Sequence, residues 1–473
     1  MPQLSPAKRA LLEQWRTGNR GTAPQGITPH PAGEPARGSL QQKELWNLHQ
    51  RSHGTTSSNI TFAGTFPAAV DADAFRQAID ALSRRHEILR TTFSWDDTDT
   101  VWQHVHPSPM VELTVTDLST LEPQEALAKA HELANEAAAE PFDLSTGPLV
   151  RPVLYRLGPA ESMLAVIVHH AVADGWSLAI AMQEISRFYE SFTGGAQYEP
   201  EPLPVQYKDF SEWQWRWRDT AEAHAHARHW ADKVASHVAT LLPTDFAKGE
   251  KKEFHGGLAE LNLTPGLSTA VRELAQREQA SMFMVLFAAF TVLVRELTGD
   301  PVVSVGTPVA GRNRPETHQL IGCFAGMVPT VTTVDDQQPF RELLHAVRAE
   351  LASAVAHEEY SLDMYLNWVE PDRLFATRPM YAAMFGLQPP MRPFELAGAR
   401  VRPVDLDRGE TRTPIAMHLW NAEPSIHGTV GYAKAFFRDA TVEAMVKRYA
   451  DILRTATGDP GRPVGDLLLP EVR

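Results

Sequence analysis

The sequence predicts an α/β protein built as more than one lobe. Its 473 residues exceed what one ordinary hydrophobic core holds, so two folding units are expected. Apolar content of 43% with 22% charged residues is that of a globular chain. Short apolar runs of strand length also alternate with segments whose apolar residues recur at helical spacing.

The elements follow in order. Residues 4–16 carry an amphipathic helix pattern, with Ser5 as N-cap and Pro6 at the first helical position. Residues 17–37 are rich in Gly, Pro and Thr and read as a linker, so 1–37 form a leader helix and linker. A first lobe is expected over 38–205. It has a strand near 58–66, a helix over 73–85, strands over 90–95 and 101–106, a helix over 123–139, and strands over 149–156 and 163–169. A helix from about Ser177 closes at Gly194-Gly195. Residues 194–206, with Gly, Pro and Glu prominent, read as the crossing to a second lobe over 206–473. There the pattern predicts helices over 267–279 and 282–297, the latter apolar nearly all round and therefore buried. A strand over 302–306 and a last helix over 442–457 complete it, and no internal repeat is evident.

Composition excludes several classes. A net charge of −14 argues against a nucleic-acid surface, which carries a basic bias. Nothing approaches a membrane span, and the charged leader lacks a signal peptide's apolar core. One cysteine, Cys323, excludes an internal disulfide and suits a reducing compartment, so a cytoplasmic location is expected. With no histidine beside it in sequence, Cys323 reads as a small core residue rather than a nucleophile.

The most informative stretch is His169-His170-Ala171-Val172-Ala173-Asp174-Gly175, an HHxxxDG pattern. The apolar run Met163-Leu164-Ala165-Val166-Ile167-Val168 precedes it, as a doubly buried strand requires. A helical pattern through Leu178, Ile180, Met182, Ile185 and Phe188 follows. Neighbouring residues on a strand face opposite ways, so one histidine can enter a cleft while the other points into the core. Such a base on a rigid strand end suits proton handling near neutral pH.

Further motifs occur in order along the chain. Ser39-Leu40-Gln41-Gln42-Lys43-Glu44-Leu45-Trp46-Asn47-Leu48 is similar to SxAQxRLWxL, and 85–93 read RHEILRTTF. Residues 207–213 read YKDFSEW, 306–315 read GTPVAGRNRP, and Ile321-Gly322-Cys323-Phe324 opens an IGxFVNT motif. His357-Glu358-Glu359 is a weak echo of HQDxPFE. With HHxxxDG, these resemble the condensation domains of nonribosomal peptide synthetases and their acyltransferase relatives, over about 38–360. Three positions depart from the pattern. Gln41 stands at the usual Ala, Gly326 at the usual Asn, and Val331 where an Arg often follows; the change at Gly326 points to an unusual substrate.

The resemblance implies two chloramphenicol-acetyltransferase-like αβ lobes, a V-shaped pseudo-dimer with a central cleft or tunnel. It implies acyl transfer from a carrier protein's phosphopantetheine thioester to an amine or hydroxyl, without a covalent enzyme intermediate. No cofactor is expected on the chain itself, because the phosphopantetheine arm belongs to a partner. His170 is the expected cleft-facing residue, as general base or positioning group. His169 is expected to face inward, Asp174 to pair with Arg312, and Gly175 to admit the substrate and offer its N–H to an oxyanion. Arg85, His86 and Arg90 read as structural, and the tryptophans at 213, 215 and 217 as interlobe packing. His224, His226 and His229 read as a solvated helix face; only His226 and His229 share a side, and no metal is expected.

No adenylation signature or LGGxS carrier motif is present, and the chain stops at Arg473 soon after its last helix. A free-standing enzyme is therefore expected, a monomer served by a donor carrier in trans and by a second carrier or a small-molecule acceptor. The rivals are an epimerisation domain, an acyl-CoA-dependent acyltransferase and a non-catalytic recruiting module. Gly175-Trp176-Ser177-Leu178 departs from the epimerisation pattern GVSWRIL, and the presence of His170 argues against the recruiting module.

Overall fold

A computed structural model describes residues 26–31, 33–51, 56–236, 241–247, 255–360, 381, 383–388, 394–406, 411 and 413–468. The leader helix expected at 4–16, with Ser5 and Pro6, lies outside these residues.

The apolar run before the histidines is the middle of a five-stranded sheet. Glu161–His169 lies antiparallel between Asn59–Phe66 and Val150–Gly158. Thr114–Asp117 closes one edge in parallel, and Arg402–Pro403 the other. Residues 162–169 are all buried, which is why the run carries no polar alternation. Helix Pro123–Ala138 buries Ala126, Ala130, Ala134 and Ala138 completely. Four alanines at i, i+4 spacing make a smooth stripe that lets a helix sit close to its neighbours. Helices Ala72–Arg85 and Gly175–Phe192 pack together, with the Phe75 and Tyr189 rings edge to face.

A second, six-stranded sheet runs in the order Gly326–Thr333, Val302–Val309, Ala383–Gln388, Ile415–Asn421, Ile426–Ala433, Gly256–Asn262. Helix Met282–Thr298, expected to be buried, fills its core beside Pro265–Arg277, Phe340–Val355 and Asp439–Gly458. Each sheet thus has its own hydrophobic core. Chain crossings tie the two together. Helix Tyr207–Arg218 and residues 320–324 sit in the first core, and Arg402–Pro403 returns to pair with Asn59–Phe66. No single described helix is long and apolar enough to cross a membrane.

Two expectations shift. The predicted linker ends in a strand, Ala36–Arg37, paired with Val101–Val105 and anchored by Arg37 on Glu212. An ion pair made 175 residues away in sequence overrides the local Gly/Pro signal. The strand expected to stop at Gly306 runs to Val309. Pro308 is tolerated because it lies beyond the two residues, Val305 and Gly306, paired with Ala383–Gln388.

Candidate active site

Strand alternation separates the two histidines. His169 closes its strand opposite Asn59, and its backbone N–H donates to Leu149 O at 3.0 Å. The ring is buried, meets His49 and Phe142 edge on, and its Nδ1 accepts from the Ala171 N–H at 3.1 Å. His170 is half-buried and hangs from Ser58 O through its backbone N–H. Its Nδ1 lies 3.4 Å from the Cys323 thiol. Here the structure corrects the sequence reading of Cys323. The residue is buried, as a core residue should be, but a histidine 153 positions away is brought against its sulfur.

Asp174 starts helix Gly175–Phe192 as its N-cap. Its Oδ1 accepts from the Ser177 N–H and hydroxyl, both at 2.7 Å, and its Oδ2 from the Phe324 N–H at 3.1 Å. Arg312 Nη2 reaches the same carboxylate at 3.1 and 3.3 Å. Arg312 Nη1 donates to Thr317 O and Leu320 O, and its guanidinium lies 4.1 Å over the Phe324 ring. Both side chains are about fully buried, at 2% and 1% exposure. Burial lowers the Arg312 pKa and Asp174 opposes that. Ser177 Oγ adds a link to the backbone of Gly322. This cluster joins the helix after the histidines to the 311–324 segment and fixes the turn that carries His170.

Two glycines of that segment are required by close approach. A Cβ on Gly322 would stand 1.9 Å from the Tyr207 ring. Tyr207, fully buried, bridges Ser39 Oγ at 2.8 Å and Cys323 O at 2.6 Å, and burial raises its pKa far above the usual phenol range. Gly311 has φ +62°, and a Cβ there would stand 2.1 Å from Phe324 O. Gly175 differs. No protein atom lies within 4 Å of a Cβ placed on it, so the protein itself does not demand glycine there. As the first residue of a helix, its N–H has no intrahelical acceptor.

Beyond Phe324 lies a cavity of about 400 Å³, a figure that includes open solvent. Gly326 and Gln41, two of the three departures from the motif pattern, both line it. Gln41 Oε1 accepts from Gln214, and its Nε2 points to Phe324 O at 3.4 Å. Val331, the third departure, lies away in Gly326–Thr333, where its N–H donates to Glu350. Sequence reasoning passed over Glu358 and Glu359, which line the cavity with raised carboxyl pKa values caused first by burial. Their only signal was the weak HQDxPFE echo.

The other candidates are placed as follows. Glu184 takes both Arg85 at 3.0 Å and His86 at 2.9 Å, and Arg90 holds Ser83 O and His106 O. All three residues therefore brace helix and strand ends. Trp213, Trp215 and Trp217 are buried, and Arg314 lies 4.0 Å over Trp213. The solvated-face reading of His226 and His229 is overturned: both are half-buried, and His229 stacks on His357 at 3.7 Å. Burial pushes His229 down to about 4. Glu222, His226 and Glu359 bring one ligand atom each within 4.8 Å. Their carboxylates are already engaged, Glu222 by the Trp217 indole and Glu359 by Arg314.

A family model described as "Condensation domain" matches residues 37–472. The chain belongs to the condensation-domain family. These are the amide-forming domains of nonribosomal peptide synthetases, which work with carrier-protein domains. A linear gramicidin synthase of Brevibacillus parabrevis is 33% identical over 435 residues, 91% of this condensation domain and 8% of that protein. The chain thus spans a small part of the relative it matches. Among solved structures, the first condensation domain of the CDA synthetase superposes with TM-score 0.76 and 17% identity, over 93% of this chain and all of that one. The X-domain in complex with OxyB, from teicoplanin biosynthesis, superposes with TM-score 0.80 and 22% identity, over 95% and 100%. These likenesses show the fold, a condensation domain of two chloramphenicol-acetyltransferase-like lobes.

Proposed function

We propose that this condensation domain is a discrete, monomeric enzyme of natural-product biosynthesis. It moves an acyl or aminoacyl group from the phosphopantetheine thioester of a separate carrier protein to an amine or hydroxyl acceptor. The observation that carries the reading is His170: an imidazole on a rigid strand end, half-buried, with Asp174 fully committed elsewhere and so unable to share its work.

The thioester is already activated, so the chain needs no nucleophile of its own, and orientation of two tethered reactants supplies most of the gain. The acceptor nitrogen or oxygen attacks the thioester carbonyl carbon. The C–S bond breaks, and the proton lost by the acceptor reaches the departing sulfur by way of His170. With Nδ1 turned to Cys323, the proton is handled at Nε2 on the opposite ring edge. An alcohol depends on this base more than a neutral amine does. The Gly175 N–H, at the positive end of its helix, is suited to the developing oxyanion.

The X-domain likeness favours one second reading, a module that recruits a partner enzyme instead of forming a bond. The test is intact mass spectrometry of a separately supplied, acyl-loaded carrier with amine and alcohol acceptors, for wild type and His170→Ala. New amide or ester in wild type alone supports the enzyme and names the bond. Equal, slow acyl loss in both leaves recruitment, and turnover of acyl-CoA without a carrier replaces the carrier with coenzyme A.

A further inference from the structure

The cavity beyond Phe324 carries a charge that acyl transfer does not use. Gln41 and Trp213 form one wall, and Asn313, Arg314, Gly326 and Glu358 the other. Two carboxylates, Glu358 and Glu359, face a single guanidinium, so the lining is one negative charge in excess. Arg314 is spent: its Nη2 binds Glu359 at 2.8 Å and its guanidinium covers the Trp213 ring at 4.0 Å. Glu358 is left with the neutral amide of Asn313. Among the described residues, no second cation lines the cavity. A half-buried carboxylate without a counter-ion is costly, and a cation brought by a ligand removes that cost. Burial raises the Glu358 pKa accordingly, and Glu359 adds to the shift.

The cavity also lies next to the chemistry. Phe324 lines it while Cys323, one residue before, touches His170; Gln41 lines it while Gln42, one residue after, holds Ala171 O at 2.9 Å. Gly326 contributes no side chain to the wall. Phe210 and Phe324 offer apolar faces for a methylene stem, and the Glu358 carboxylate with the Asn313 amide oxygen offers acceptors for a three-donor head.

We propose that this cavity binds a primary ammonium group at the end of an apolar stem, with Glu358 as its counter-ion. That the ammonium belongs to the substrate rests on the acyl-transfer reading; the cavity's preference for an organic cation does not. The group could be borne by the tethered donor or by a free acceptor, and two arms separate these sources.

The first arm measures calorimetric binding of hexylammonium against 1-hexanol. The second uses pantetheine joined through a stable amide to a 6-aminohexanoyl group, against its heptanoyl counterpart. Wild type is expected to prefer the charged probe about 10- to 100-fold in at least one arm, as hydrogen bonds to charged groups imply. Preference in the first arm assigns the ammonium to a free acceptor, and preference confined to the second assigns it to the tethered donor. Glu358→Gln should abolish the preference and Glu358→Asp keep part of it, with melting temperatures confirming folded variants. Gly326→Asn, which fills the wall without touching the charge, should weaken the charged probe. His170→Ala should keep the preference even where it abolishes turnover, which separates this proposal from the enzymatic reading. Equal binding of charged and neutral probes in both arms, or a preference that survives Glu358→Gln, overturns the proposal.

Discussion

Asp174 and Glu358 are two carboxylates beside the same 311–326 segment, and they are treated in opposite ways. Asp174 has a guanidinium, a hydroxyl and two backbone N–H groups as partners, and it is almost wholly buried. Glu358 is half-buried with one amide partner, beside an arginine already used by its neighbour. The low dielectric that rewards a satisfied network penalises an incomplete one. The first carboxylate therefore holds the His170 turn in place, and the second remains available to a ligand.

Breaking the satisfied side should cost most. Arg312→Met strands the Asp174 charge in the core and is expected to lose about 3–5 kcal/mol of stability. Urea denaturation checks this, and Asp174→Asn added to Arg312→Met should recover part of the loss. A loss under about 1 kcal/mol would mean that the pair matters little. Ser177→Ala comes next, at about 1–3 kcal/mol, because Ser177 Oγ serves Asp174, Arg312 and the Gly322 backbone at once.

The incomplete side should respond in the opposite direction. Because the folded pKa of Glu358 is raised, the folded state holds its proton more tightly than the unfolded chain does. Its contribution is favourable below the ordinary glutamate pKa of 4.5 and is lost as pH rises through the folded value. Glu358→Gln should therefore melt higher than wild type at about pH 7, and the difference should close below pH 4.5. A lower melting temperature at neutral pH would place a cation on Glu358 already in the free protein.

His229 gives the smallest effect. Its pKa is depressed from 6.5 to about 4, so its contribution is present above pH 6.5 and is lost as pH falls through about 4. His229→Gln should flatten the acid side of a melting-temperature profile between those values. An unchanged slope would show that the stacked imidazoles open to water before they titrate.

The histidine strand and the helix after it were legible because each rests on local rules, an unbroken apolar run and a helical period. The helix start was placed near Ser177 instead of Gly175 because the capping bond from Ser177 to Asp174 leaves no period to read. Arg312 could be matched to Asp174 only through the family pattern, since nothing local joins residues 138 positions apart. Cys323 beside His170 depends on how the two cores meet, and no periodicity carries that. The same holds for His226 and His229: the helix they occupy was legible, but the Glu358–Tyr360 turn and His357 that cover them were not. Glu358 and Gln41 were visible as departures or weak echoes, yet their sharing of one cavity is a three-dimensional fact.

The central claim is that His170 handles the proton while Asp174 and Arg312 only hold its turn. The direct measurement is the single-turnover rate of acyl transfer from a loaded carrier, comparing His170→Ala with wild type at equal melting temperature. The rate should fall about 10²- to 10⁴-fold, the range for loss of a general base, and more for an alcohol acceptor than for an amine. A folded His170→Ala protein that transfers at the wild-type rate would contradict the account.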